Sequence, residues 1–120
     1  EHHLWTDLEQ KKARVVSGKK KGSKLAQLSY RTLAVTTFGC LLEIKPKTGR
    51  FHQIRAQLAH IGCPIIGDEK YGNAQPYLKQ QIALHAHMLE LPETINNSPV
   101  LFTAGLPDTG LWSRFADQFK

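Results

Sequence analysis

The stretch from Lys47 to Gly72, KTGRFHQIRAQLAHIGCPIIGDEKYG, constrains this chain more than any other. Phe51, Ile54, Leu58 and Ile61 recur at spacings of three and four. That periodicity predicts an amphipathic helix over 50–60, with those four side chains turned to a core. Thr48 stands where an N-cap belongs, although Gly49 is a poor first helical residue. Gly62 supplies the left-handed conformation that ends helices, and Pro64 keeps the helix from resuming. Arg50, His52, Gln53, Arg55, Gln57 and His60 fall off the stripe. Taken by themselves, these residues describe first of all a surface helix whose basic side is solvated.

The 120 residues make one domain at most, with a single modest core. No apolar run approaches the ~20 residues of a membrane span, and no signal-peptide pattern opens the chain. Cys40 and Cys63 lie among apolar neighbours in sequence without metal-type spacing, which points to a reduced, cytoplasmic protein. The formal net charge is +6, and its distribution says more than its size. Within a basic loop segment over 10–24, residues 11–24 carry seven of the sixteen lysines and arginines and no acidic residue. Elsewhere nine basic residues face ten acidic ones, so the basicity belongs to one segment rather than to the surface at large. Lys19, Lys20 and Lys21 at its centre suit a polyanion such as RNA, or simply a solvated loop.

Local patterns place the remaining elements. Residues 1–10 read as a lead-in, with Leu4, Trp5 and Leu8 able to pack; Arg14–Ser17 is strand-like. Leu28, Tyr30, Thr32 and Ala34 alternate on one face of a strand through Val35. A turn at Phe38-Gly39 and a returning arm over Cys40–Lys45 complete a hairpin. The stretch 72–81 reads as a loop, with a turn of helix after Pro76. Further strands are expected over Leu84–Leu91 and Val100–Ala104, and a last helix from Asp108 or Thr109 to Phe119 turns Leu111, Trp112 and Phe115 inward. The sum is an α+β fold, a mostly antiparallel mixed sheet with flanking helices.

TGRFHQIR followed by HIGCPIIGDEKYG resembles the C-terminal motif of RluA-type pseudouridine synthases, in which TGR-x-HQIR precedes a G-x-PI-x-GD-x-x-YG segment. Lys24-Leu25-Ala26 with Leu28 and Tyr30, then Leu84-His85-Ala86, Phe102 to Pro107, Trp112 and Phe115 extend the likeness over most of the chain. The resemblance implies residues 1–120 of a C-terminal portion of the catalytic domain, with 47–72 as the family motif. It also implies isomerisation of uridine to pseudouridine in rRNA or tRNA, without cofactor or metal, by a monomer whose partner is RNA.

That chemistry requires a carboxylate and a pocket for a base taken out of its stack. In the family the carboxylate belongs to an upstream Arg-Leu-Asp motif, which this sequence does not contain; its aspartates are Asp7, Asp68, Asp108 and Asp117. A fragment lacking the N-terminal part of the domain is therefore expected. Arg55 matches the arginine that pairs with the catalytic aspartate, and its guanidinium should face the place where that aspartate docks, partly hydrated or paired with a substitute acid or a bound anion. Ile54 matches the aliphatic residue lining the base pocket, and plain core packing would explain it equally well. Arg50, His52 and Gln53 either bind phosphate or fix the loop before the helix. His85 and His87, with His60 or Cys63, lack any recognised metal spacing. Two other functions fit the same residues: a catalytically silent RNA-binding module, and a structural piece with no activity alone.

Overall fold

The computed structural model describes residues 1–36, 39–73, 81–86, 88–91, 100–103 and 112. The chain divides into two compact units, Glu1–Ala83 and Leu84–Lys120. In the first, strands β1 (His2–Asp7), β2 (Lys12–Val16) and β3 (Lys24–Ala26) form a sheet in the order β2-β1-β3, and both pairings are antiparallel. The lead-in is thus the central strand. Leu4, buried on its inner face, lies opposite Val15 of β2 and Lys24 of β3.

β4 (Leu28–Thr36) and β5 (Gly39–Pro46) make the expected hairpin, in register from Leu28↔Pro46 to Thr36↔Gly39. A bulge at Leu33, between Thr32 and Ala34, breaks the alternation that the sequence suggested. Tyr30 and Thr32 are exposed, while Leu28 and Ala34 are half-buried. Phe38, expected in the turn, lies outside the described residues. Gly39 sits so close to Ile66 that an added Cβ would stand 3.0 Å from its Cδ1, which fastens the hairpin tip to the segment after the helix.

The helix of the motif, α1, runs Gln53–His60, three residues shorter at its start than the periodicity predicts. Its N-cap is His52, in the left-handed region at φ 50°, and no side chain caps the helix. Thr48 is engaged elsewhere: its hydroxyl donates to Gln53 Oε1 at 2.7 Å and accepts from the Gln27 N–H at 2.9 Å. The C-terminal end follows expectation, with Gly62 at φ 87° and Pro64 beyond it.

The inward face of α1 differs from the apolar stripe. Phe51 and Ile61 are about half exposed and Ile54 is half-buried, so of the four stripe residues only Leu58 is buried. The other buried residues of the helix are Gln53, Ala56 and Gln57. The core joins Leu4, Ala13, Ala26, Ala56 and Tyr71, with Val15 and Ala59 against it. Alanines at three of these places let helix and sheet backbones come close. That proximity makes long amide side chains useful. Gln53 Nε2 donates to Gln27 O at 3.0 Å, and Gln57 Nε2 donates to Ala26 O at 3.3 Å and contacts His2 Nδ1 at 2.9 Å. They reach backbone carbonyls at the end of a short edge strand, and that of Gln27 also accepts the N–H groups of Lys47 and Thr48.

A single 3-10 turn, Glu69–Tyr71, follows the helix and ends at Gly72, φ 104°. In the second unit, β6 (Met88–Leu91) pairs antiparallel with β7 (Val100–Thr103), and residues 84–86 are not strand. The expected strand over Leu84–Leu91 is therefore shorter. The turn of helix after Pro76, Ala104 and the last helix apart from Trp112 lie outside the described residues. Among the described residues every strand pairing is antiparallel and the strands form three separate sheets, where one mixed sheet was expected.

Gln53 carries the clearest stability consequence. Replacing it by Leu keeps the volume but strands the Arg50 N–H, while the Gln27 carbonyl keeps the N–H groups of Lys47 and Thr48. Gln53→Leu should cost about 2 kcal/mol, seen as a lower midpoint in urea denaturation with an unchanged m-value.

Candidate functional site

The left-handed turn at His52 and the 3-10 turn at Glu69–Tyr71 bring the two halves of the motif together. Arg55, on the first turn of α1, meets Asp68 in the Gly-Asp segment thirteen residues on. Nε donates to Oδ2 at 2.9 Å and Nη2 to Oδ1 at 2.8 Å, a bidentate pair. Asp68 is 1 % exposed, whereas the Arg55 side chain keeps 21 %. The hydrogen bonds that Arg55 donates to Asp68 hold its pKa above the ordinary value, with burial opposing and the carboxylate charge adding to the rise. The acid that pairs with Arg55 in this structure is Asp68, within the motif itself.

Arg55 Nη1 also lies 3.1 Å from His52 Nε2, and His52 Nδ1 lies 2.8 Å from the Tyr71 hydroxyl. The same hydroxyl accepts from the Ala13 N–H of β2 at 2.9 Å. The Arg55 guanidinium carbon stands 5.0 Å from the centre of the Tyr71 ring, and Lys12 Nζ lies 5.1 Å from that centre. The Phe51 ring stacks on His52, centroids 3.9 Å apart and planes inclined by 17°. Burial lowers the His52 pKa, as do the charges of Arg55 and Lys70, while Asp68 pulls the other way. Burial raises that of Tyr71, against the Ala13 hydrogen bond and the nearby Arg55.

The other sequence-derived candidates fall into two places. Arg50 and Gln53 join the loop before the helix: the Arg50 N–H donates to Gln53 Oε1 at 3.0 Å, and Arg50 Nε donates to Leu25 O at 2.9 Å. Arg50 is otherwise exposed, and Ile54 is half-buried beside Arg55 on α1. Lys19, Lys20 and Lys21 are exposed together on the loop between β2 and β3. Lys20 Nζ sits 4.3 Å over the Trp5 ring, and Trp5 in turn lies against Gly22. Asp68 and Tyr71 were missed as partners of Arg55, although both stand in the GDEKY segment that the resemblance had quoted.

Among the described residues no group of three or more His, Cys, Asp or Glu converges as a metal site would. His87 lies outside them. Cys40 and Cys63 are both exposed thiols, not residues of an apolar setting. No helix among the described residues is long and apolar enough to cross a membrane.

This clasp of Arg55, Asp68, His52 and Tyr71 lies in a chain with recognisable relatives. The sequence model described as RNA pseudouridylate synthase matches residues 1–60, half of the chain. The chain belongs to that family. Among similar proteins, tRNA pseudouridine synthase C of Salmonella typhi is 41 % identical over 91 residues, which cover 70 % of this chain and 34 % of the relative. The Vibrio cholerae protein of the same name is 34 % identical over 118 residues, covering 82 % of this chain and 48 % of the relative. Ribosomal large subunit pseudouridine synthase C of Rickettsia prowazekii is 42 % identical over 87 residues, covering 70 % and 28 %. The chain therefore spans less than half the length of these relatives. No solved structure matches it.

The pair of Arg55 and Asp68 gives an asymmetric prediction. Asp68→Asn leaves a neutral acceptor on a partly hydrated cation and should cost about 2 kcal/mol. Arg55→Met leaves a carboxylate with almost no solvent and should cost more, about 3–5 kcal/mol. Urea denaturation of the two variants checks the order.

Proposed function

We propose that the protein to which this chain belongs isomerises uridine to pseudouridine in tRNA or rRNA, and that Arg55 orients and keeps ionised the carboxylate that does it. The observation carrying this is the state of the Arg55 guanidinium. Asp68 takes Nε and one N–H of Nη2, and His52 takes one N–H of Nη1. Among the described residues one N–H on each terminal nitrogen then remains for a further acceptor, on a side chain that keeps some solvent exposure. A second carboxylate fits that vacancy in charge and in geometry.

The reaction breaks the bond between ribose C1′ and uracil N1, turns the base, and joins C1′ to C5. The C5 proton is lost and N1 gains one, so the product is an isomer and no cofactor is consumed. The catalytic carboxylate comes from outside these 120 residues. Asp7 is occupied by the Gln10 N–H and Arg14 in a surface turn, and Asp68 is buried against Arg55. Asp108 and Asp117 lie outside the described residues. No Arg-Leu-Asp motif occurs in the sequence, and the chain corresponds to 28–48 % of the relatives named above. Ile54, next to Arg55, forms part of the base pocket in this reading, and Arg50, His52 and Gln53 hold the Thr-Gly-Arg loop at its rim.

The exposed Lys19, Lys20 and Lys21 contact RNA phosphates, with the protein acting as a monomer in the cytoplasm. The lysine loop together with the missing Arg-Leu-Asp motif also suits a silent RNA-binding module, and activity separates the two. Release of tritium from 5-tritiated uridine in RNA should occur with the intact protein and not with the 120-residue chain. Arg55→Lys in the intact protein keeps the charge but loses the fork, and should slow release by about 10²-fold. Removing the three lysines should flatten the dependence of RNA affinity on salt by about two units in log–log slope.

A further inference from the structure

We infer that His52 is a positioning residue, held as the neutral imidazole with its proton on Nδ1, so that it accepts from Arg55 through Nε2 and donates to Tyr71 through Nδ1. The inference rests on the proposed function for its catalytic consequence, but the tautomer follows from geometry alone. A guanidinium only donates hydrogen bonds. With Arg55 Nη1 3.1 Å away, His52 Nε2 must present its lone pair. The proton of a neutral ring is then on Nδ1, where the Tyr71 oxygen waits at 2.8 Å. That oxygen also accepts the Ala13 N–H, so both of its lone pairs are used and its own proton is turned elsewhere. The opposite tautomer would set an imidazole N–H against a cationic N–H at the same 3.1 Å, and an imidazolium would do so with a second positive charge.

His52 thereby joins three elements: α1 through Arg55, the segment after the helix through Tyr71, and β2 through the Ala13 bond to the same hydroxyl. Together with Asp68 it fixes the guanidinium at three of its five N–H groups, which sets the direction of the remaining two. The left-handed backbone at His52, uncommon outside glycine and asparagine, turns the ring back over the first helical turn, and Phe51 stacks on its outer face. The charged and titratable groups facing this ring are Arg55 on α1, Asp68, Lys70 and Tyr71 on the following segment, and Lys12 and Arg14 of β2 around the Tyr71 ring. Only Asp68 among them favours a charged imidazole, and its two oxygens are already committed to Arg55.

Protonation of His52 would remove the acceptor and place two cations in contact, releasing Arg55 from its third anchor. The folded-state pKa is below the ordinary 6.5, so the neutral ring persists through pH 6.5 and is lost only below it. Positioning of Arg55, and activity with it, should fall on the acid side of that value.

The test uses the intact protein labelled with 15N-histidine, the His52 resonances being those that vanish in His52→Gln. At pH 7 the expected spectrum has a protonated Nδ1 and an unprotonated Nε2; a protonated Nε2 overturns the inference. In the tritium-release assay His52→Leu should lower kcat by about 10²-fold with KM within twofold. His52→Gln places a non-titrating acceptor near the Nε2 position and should recover most of kcat, while losing the acid limb shown by the wild type. Equal loss in both variants, or an unchanged acid limb in His52→Gln, would assign His52 a merely structural part. Wild-type protein that releases no tritium overturns the positioning role along with the proposed function, while the spectrum decides the tautomer separately.

Discussion

A carboxylate almost wholly removed from water can stay ionised only if a cation is bonded to it, and Asp68 is bonded to Arg55 through both oxygens. Much of the first unit is arranged around that requirement. The turn after α1 has to return the chain far enough for the Gly-Asp segment to reach the first turn of the helix. The 3-10 turn that follows then carries Tyr71 under the guanidinium and up to β2. One ion pair thus fixes the angle at which the helix, the segment after it and the sheet meet.

The helix is held to the sheet by a second, different device. Ala13, Ala26 and Ala56 are small enough to let the backbones approach, and Gln53 and Gln57 span what is left to the carbonyls of Ala26 and Gln27. Hydrogen bonding of this kind contributes modestly per bond, yet a buried polar group left without its partner costs more than the bond gains. The arrangement has one blemish, since Gln57 Oε1 is buried with no donor among the described residues. It also ties the Thr-Gly-Arg loop to the helix. Gln53 Oε1 collects the Thr48 hydroxyl and the Arg50 N–H, so loop and helix move as one piece.

Site and scaffold are therefore the same residues. Motif positions that serve chemistry in the proposed reading, Arg55 and His52, are anchored by neighbours whose own role is to satisfy backbone groups or to neutralise Asp68. The lysine loop stands apart from this clasp, tethered to the outer side of β1 by Lys20 and Gly22 on Trp5. A surface that attracts a polyanion gains little from rigid placement, because phosphate attraction depends on charge and distance more than on angle.

The sequence by itself determined the helix stop, the hairpin and the family. Gly62 with Pro64, the β-branched and aromatic arms around Gly39, and the unbroken spacing of TGRFHQIR and GDEKYG are local facts, and local sterics or direct likeness suffices to interpret them. It did not determine which face of α1 turns inward. Apolar spacing favoured Phe51, Ile54, Leu58 and Ile61, while the fold buried Gln53, Ala56, Gln57 and Leu58. The two glutamines are buried because their partners lie 26 and 31 residues earlier in the chain, at carbonyls that no local pattern reveals. β1 was passed over for a similar reason, since its pairing partners β2 and β3 flank a charged loop and its alternation is short. Nor could the sequence say that Arg55 finds Asp68 or that His52 bridges to Tyr71. Those contacts exist only once two turns have folded back on each other, and both the charge state of Asp68 and the tautomer of His52 follow from that folding.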